Sequence, residues 1–206
     1  MIYFLQGLTM GLAYAAPIGL QNLFVINTAL TQKRSRAYIV ALIVVFFDVS
    51  LAFGCFYGVG AVMNQSVLIE KAVLLIGSII VAIIGIQLMR SKASMRNDTD
   101  VNVPILRAIS MAFVVTWFNP QALIDGTMML GAFRATLPPE GLTKFITGVA
   151  TASFSWFFTI TTIISLFSAR FTDKTLKIIN TVCGVVILGY GVKLFVNFVM
   201  LLSISA

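Results

Sequence analysis

Histidine is absent from the 206 residues, which removes a haem held by imidazole, a zinc site built on histidine and a histidine general base. Cysteine is scarce too. Cys55 and Cys183 lie far apart in apolar runs without Cys-x-x-Cys spacing, so neither a thiol relay nor a disulfide framework has support, and both read as small core residues. Charge is sparse: 10% of the chain is charged, against roughly 25% in an ordinary soluble domain. That excludes a soluble globular enzyme and a disordered chain. Fourteen Lys and Arg set against seven acids leave a net charge of +7, yet they are spread too thinly to form the basic face of a nucleic-acid binder. No cofactor or metal is expected.

What fills the chain is apolar, with 59% hydrophobic residues, and its natural partner is a lipid bilayer. A hydrocarbon core about 30 Å thick needs about 20 helical residues. Cutting at charges and turn residues yields six segments, roughly 2–30, 38–62, 68–89, 105–130, 143–168 and 177–202. The runs are continuous, without the dyad alternation of a barrel strand, so they are expected as helices. Gly7-x-x-x-Gly11 and Gly54-x-x-x-Gly58 read as helix-packing pairs. Ala13-Tyr14-Ala15 has the look of a cleavage site, but nothing is charged before Lys33, so the first segment is expected as a retained helix.

Positive charge sets the expected orientation. One set of loops carries Lys33, Arg34, Arg36, Arg90, Lys92, Arg96, Arg107, Arg170, Lys174 and Lys177. The other carries only Lys71, Arg134 and Lys144, which puts both termini outside. The expected fold is an all-α integral membrane protein of six transmembrane helices in one domain. Residues 1–90 form a first three-helix repeat, 91–104 a cytoplasmic linker and 105–206 a second repeat.

Three is odd, so the halves enter the membrane from opposite sides, as inverted repeats do. Residues 13–22 (AYAAPIGLQN) align without gaps on residues 116–125 (TWFNPQALID), Pro17 on Pro120, Leu20 on Leu123 and Asn22 on Asp125. A proline in the first helix of each half removes a backbone bond. Matched Pro/Gly-interrupted helices, here Pro17 with Gly19 and Pro120, point to a transporter's substrate site at mid-membrane. Two ordinary proline kinks are the simpler alternative. Gln21, Asn22, Asn119 and Gln121 crowd the breaks, and amides at that depth need partners.

Asp48 and Asp125 lie in apolar sequence, where a carboxylate costs about 2.5–3.5 kcal/mol on an insertion scale. A carboxyl so placed suits proton exchange or a cationic cargo. Solvated helix-end acids are the alternative, a better fit to Asp125 than to Asp48. Lys193, the one basic residue inside an expected span, is placed to pair with an acid, gate the site or hold a substrate carboxylate, or else to snorkel to an interface. The roles of Trp117 and Trp156 stay open.

These motifs resemble the LysE/RhtB family of bacterial efflux carriers, and within it the LysE/ArgO-type exporters of basic amino acids. The resemblance covers nearly the whole chain. It rests on Pro17-Ile18-Gly19-Leu20-Gln21-Asn22, on Asp48, on Val115-Thr116-Trp117-Phe118-Asn119-Pro120 followed by Asp125, and on the Ser155-Trp156-Phe157-Phe158 and Ile178-Ile179-Asn180 stretches. Leu20 stands where the family usually has a second proline, and Gln121 where lysine and arginine exporters often have His. The resemblance implies a bacterial inner-membrane secondary exporter, not an enzyme. Its cargo would be lysine or arginine, moved by alternating access in exchange for protons. Neutral amino acids or other small metabolites are the nearest alternative. An intramembrane aspartyl protease is a weaker one, because Asp125 lacks a Gly-x-Gly-Asp context. The outer faces suit either lipid or a second copy of the chain, so a homodimer is left open.

Overall fold

The computed structural model describes residues 1–17, 19–58, 67–90, 104–167 and 173–204. The expected linker, 91–104, lies outside these except for Pro104. Eight helices are described: α1 (Ile2–Ala15), α2 (Leu20–Thr31), α3 (Arg34–Tyr57), α4 (Val67–Arg90), α5 (Ile105–Trp117), α6 (Pro120–Thr136), α7 (Pro139–Phe167) and α8 (Asp173–Ile204). The first and fourth expected segments are therefore each two helices. Among the described residues α3 and α7 are long and apolar enough to span a bilayer, and α1 with α2, bent by 76°, makes a third candidate span.

α3 shows why these sequences form such helices. Its residues from Ala37 to Phe53 contain no Gly or Pro, and Val40, Val44, Asp48, Leu51 and Cys55 recur at helical spacing on one buried face. Leu42, Phe46, Phe53 and Tyr57 cover the opposite face and are exposed, as a helix greasy all round must leave them in a bilayer. The helix stops at Gly58, whose φ of 116° only glycine adopts without strain. Gly58 is thus a C-terminal cap rather than half of a packing pair, and the expected segment ends earlier than 62 for that reason. α6 in turn runs past the expected end at 130, because no breaker precedes Pro138.

Gly7 and Gly11 do pack as expected. A Cβ on Gly7 would lie 1.9 Å from the Phe145 carbonyl oxygen, one on Gly11 2.7 Å from the Ala152 Cβ, and one on Gly148 2.3 Å from the Phe4 carbonyl oxygen. The backbones of α1 and α7 therefore touch. Gly85 and Gly184 bring α4 and α8 equally close, with Gly85 2.8 Å from Leu188 N by the same measure.

The helices that surround the break between α1 and α2 define the core. α1 and α2 pack on α7, α5 and α6 pack on α3, and α3 packs on α7. α4 and α8 pack chiefly on each other, reaching the rest through α6 and α2. One apolar cluster joins Val25, Val40, Val44, Ala112 and Phe157. A second joins Ala52, Phe56, Leu130, Phe145 and Val149. Along α3 and α7 the residues between those clusters are Asp48 and Ser153, so a polar layer lies between two apolar ones.

Candidate functional site

The first break lies just before α2. Pro17 has no N–H to give the Ala13 carbonyl, and α1 ends at Ala15. The chain resumes at Leu20 after Gly19, whose extended backbone starts α2 without a side-chain cap. Asn22 holds the gap together. Its Nδ2 donates to the carbonyls of Ala15 (3.0 Å) and Pro17 (2.8 Å), while its Oδ1 accepts from Trp156 Nε1 (2.8 Å). Amide and indole together anchor the broken helix to α7.

The second break is differently made. Pro120 stands at the first turn of α6, where a missing N–H costs nothing, and Asn119 is the N-cap, accepting from Ala122 N at 3.4 Å. Pro120 is therefore a helix start rather than a mid-helix kink, which corrects the matched reading of the two prolines. Their positions in the gap-free alignment still coincide with the two breaks.

Asp48 is the hub of the polar layer and has no exposed surface. Its Oδ1 accepts from Gln21 Nε2 at 3.0 Å and its Oδ2 accepts a short bond from Ser153 Oγ. The Gln21 amide also donates to Thr116 Oγ1 at 3.0 Å, so both its protons are used. Four helices, α2, α3, α5 and α7, thus meet at one carboxyl. Nearby, Trp117 Nε1 donates to Ser50 Oγ (3.1 Å).

A cavity of about 460 Å³ opens against this layer, within the usual size of small-molecule sites. Of the residues expected at the site, Pro17, Gly19, Gln21, Asn22, Asn119, Asp125 and Lys193 line it. Asp48 does not; it sits one side chain deeper, behind Gln21. The side chains of Pro120 and Gln121 lie outside the described residues. Among the described residues Asp125 is the one acid and Lys193 the one base in the lining. Tyr14 also lines the cavity, and its buried hydroxyl makes no hydrogen bond. No group of three or more metal-ligating side chains occurs among the described residues.

Nothing in the sequence assigns Ser153, Thr116 or Tyr14 to the site, although Thr116 falls within the family-like stretch. Ser153 is 105 residues from Asp48, and a serine in an apolar helix is ordinary. Trp156→Phe keeps the ring and removes only the donor to Asn22. It is expected to cost about 1–3 kcal/mol, by leaving Asn22 Oδ1 without that bond. Thermal unfolding in detergent measures this, and an unchanged midpoint would mean that Trp156 does not hold the break.

A cavity between broken helices, flanked by buried amides and carboxyls, is the architecture of a membrane carrier. The chain matches the family model of the LysE type translocator over residues 12–197, and it belongs to that family. It is 30% identical over 197 residues to the arginine exporter protein ArgO of Pectobacterium carotovorum subsp. carotovorum (strain PC1), covering 93% of this chain and 95% of that one. The ArgO protein of Serratia proteamaculans (strain 568) is 29% identical, with the same coverage. That of Escherichia coli O157:H7 is 30% identical over 89% of both chains. No solved structure gives a significant match.

Proposed function

We propose that this protein is a secondary exporter of amino acids in the bacterial inner membrane, with arginine or lysine as cargo. The observation that carries the reading is the cavity that joins both helix breaks and presents Asp125, Asn22, Gln21 and Asn119 to one volume. Family membership and the names of the relatives support the amino-acid cargo. In this reading Asp125 takes a cationic group from the cargo, Gln21 and Asn22 link the cavity to the deeper layer, and Asp48 exchanges a proton or a cation when Gln21 lets go.

The chain is read as six spans in two inverted repeats, 1–90 and 105–206, with both termini outside. The packing supports this, because exchanging the halves leaves the list of main partners unchanged. The broken helix of each half rests on the second helix of the other, second packs on second and third on third. The cavity would open alternately to each side as one repeat rocks against the other. A cation leaving a cell that is negative inside works against about 2.3 kcal/mol per 100 mV, which is the reason to expect proton exchange.

Proteoliposomes preloaded with labelled arginine or lysine test the reading. Saturable efflux that quickens with an inwardly directed proton gradient, at fixed membrane potential, is expected. Efflux of neither amino acid would overturn the cargo, and efflux indifferent to the proton gradient would overturn the coupling.

A further inference from the structure

The cavity lining carries charges of both signs, contributed by different parts of the fold. Asp125 stands on α6, in the second turn after the Asn119 cap. Beside it is Tyr14 from α1, whose ring lies against Gly126: a Cβ on Gly126 would come within 3.3 Å of the Tyr14 Cε2. Asp125 brings a carboxylate to the lining, and the Tyr14 ring beside it carries a buried phenol hydroxyl that has no partner among the described residues. Such an orphaned hydroxyl is costly unless something else fills its need.

Lys193 and the start of α2 supply the positive part of the same lining. Lys193 is on α8, one of the two helices that stand apart from the core, and α8 reaches the core at α2. Gly19, Leu20, Gln21 and Asn22, the first turn of α2, all line the same cavity as Lys193. No side chain caps that turn, whereas the corresponding turn of α6 is capped by Asn119. The first N–H groups of a helix have no partner inside it and carry the positive end of its dipole. An ammonium and a helix N-terminus facing one volume make an anion subsite.

We infer that Lys193 and the first turn of α2 bind the α-carboxylate of the cargo, and that Asp125 in the same lining receives its cationic group. This rests on the exporter reading above and narrows it. The site then selects amino acids, charged or neutral in their side chains, over amines that lack a carboxylate. Lys193 becomes a specificity-determining residue, brought to the cavity by a helix that is otherwise peripheral. A lysine that merely snorkels to the lipid headgroups would have no such effect.

The experiment uses the full chain in proteoliposomes, and two pairs of probes that differ only by the carboxylate: arginine with agmatine, and lysine with cadaverine. The wild type is expected to move the amino acid of each pair far better than its amine. Lys193→Met keeps the length and apolar stem of the side chain. It is expected to raise the KM for the amino acid by about tenfold or more without raising that for the amine, from which a like charge is removed, and Lys193→Arg is expected to restore the discrimination. Equal changes for acid and amine, or none for either, would overturn the inference while leaving the exporter reading in place. A wild type that moves amine and amino acid equally well would do the same. A wild type that moves none of the four would overturn both.

Discussion

Asp48→Ala is expected to abolish transport and to lower stability by about 2–6 kcal/mol, the cost of stranding two buried donors. Gln21 would keep one of its two side-chain bonds, to Thr116, and Ser153 would lose the acceptor it now has. Against a total stability of about 5–15 kcal/mol for a typical domain, the upper end of that range leaves little folded protein. Asp48→Asn separates stability from function. It preserves shape: Oδ1 can still accept from Gln21 while the new N–H donates to Ser153 Oγ, whose own proton then loses its acceptor, so a smaller loss of about 1 kcal/mol is expected, with transport still lost. Thermal unfolding in detergent alongside flux in proteoliposomes checks both. Full transport by Asp48→Asn would make the carboxyl a structural pin and remove it from the mechanism.

The second large effect belongs to the contact of α1 with α7. Gly7→Ala and Gly148→Ala would each push a methyl against backbone, at 1.9 Å from Phe145 O and 2.3 Å from Phe4 O. Backbone cannot rotate aside as a side chain does, so the helices must part. Overpacking of this kind typically costs about 1–3 kcal/mol and occasionally more, and these contacts place both variants at the upper end. Gly58→Ala is the contrast. Nothing lies within 4 Å of its would-be Cβ, and its cost is the positive φ alone, about 1 kcal/mol. Unfolding midpoints should therefore fall far more for Gly7→Ala and Gly148→Ala than for Gly58→Ala. The reverse order would mean that α1 and α7 are not in backbone contact.

Much of this was legible in the sequence where a local cause acts. Proline marks both breaks, at Pro17 because its ring and missing N–H disrupt the preceding turn and at Pro120 because proline suits the first turn of a helix, and the gap-free alignment put the two in register. Asp48 stood out because an acid in an uninterrupted apolar run needs a partner. Those partners were not legible. Ser153 and Trp156 reach Asp48 and Asn22 across 105 and 134 residues, and Thr116 reaches Gln21 across 95, so only the packed helices reveal them. The same limit explains Gly58. Its four-residue spacing from Gly54 matches a packing motif, but the left-handed turn that ends α3 is a backbone property that spacing does not encode. Pro120 has the converse history: mid-segment in the sequence, it is the first residue of a new helix, because Asn119 caps it.

The placement of the two acids also changes how they are understood. Both stand out in the sequence, Asp48 the more strongly, and they occupy different depths. Asp125 borders the cavity, and Asp48 lies behind Gln21, with both oxygens already bonded. In the proposed reading, a cargo entering the cavity would meet Asp125 before Asp48. Reaching Asp48 requires the Gln21 amide to move, which would couple loading of the cavity to the junction of α2, α3, α5 and α7.

The central claim is that the cavity joining the two helix breaks is the transport site of an amino-acid carrier. Counterflow of labelled arginine into proteoliposomes filled with unlabelled arginine, wild type beside Asp125→Asn, tests it most directly. Saturable counterflow by the wild type, lost in Asp125→Asn while the variant still unfolds cooperatively near the wild-type temperature, is the predicted result. Equal counterflow by both proteins would contradict it.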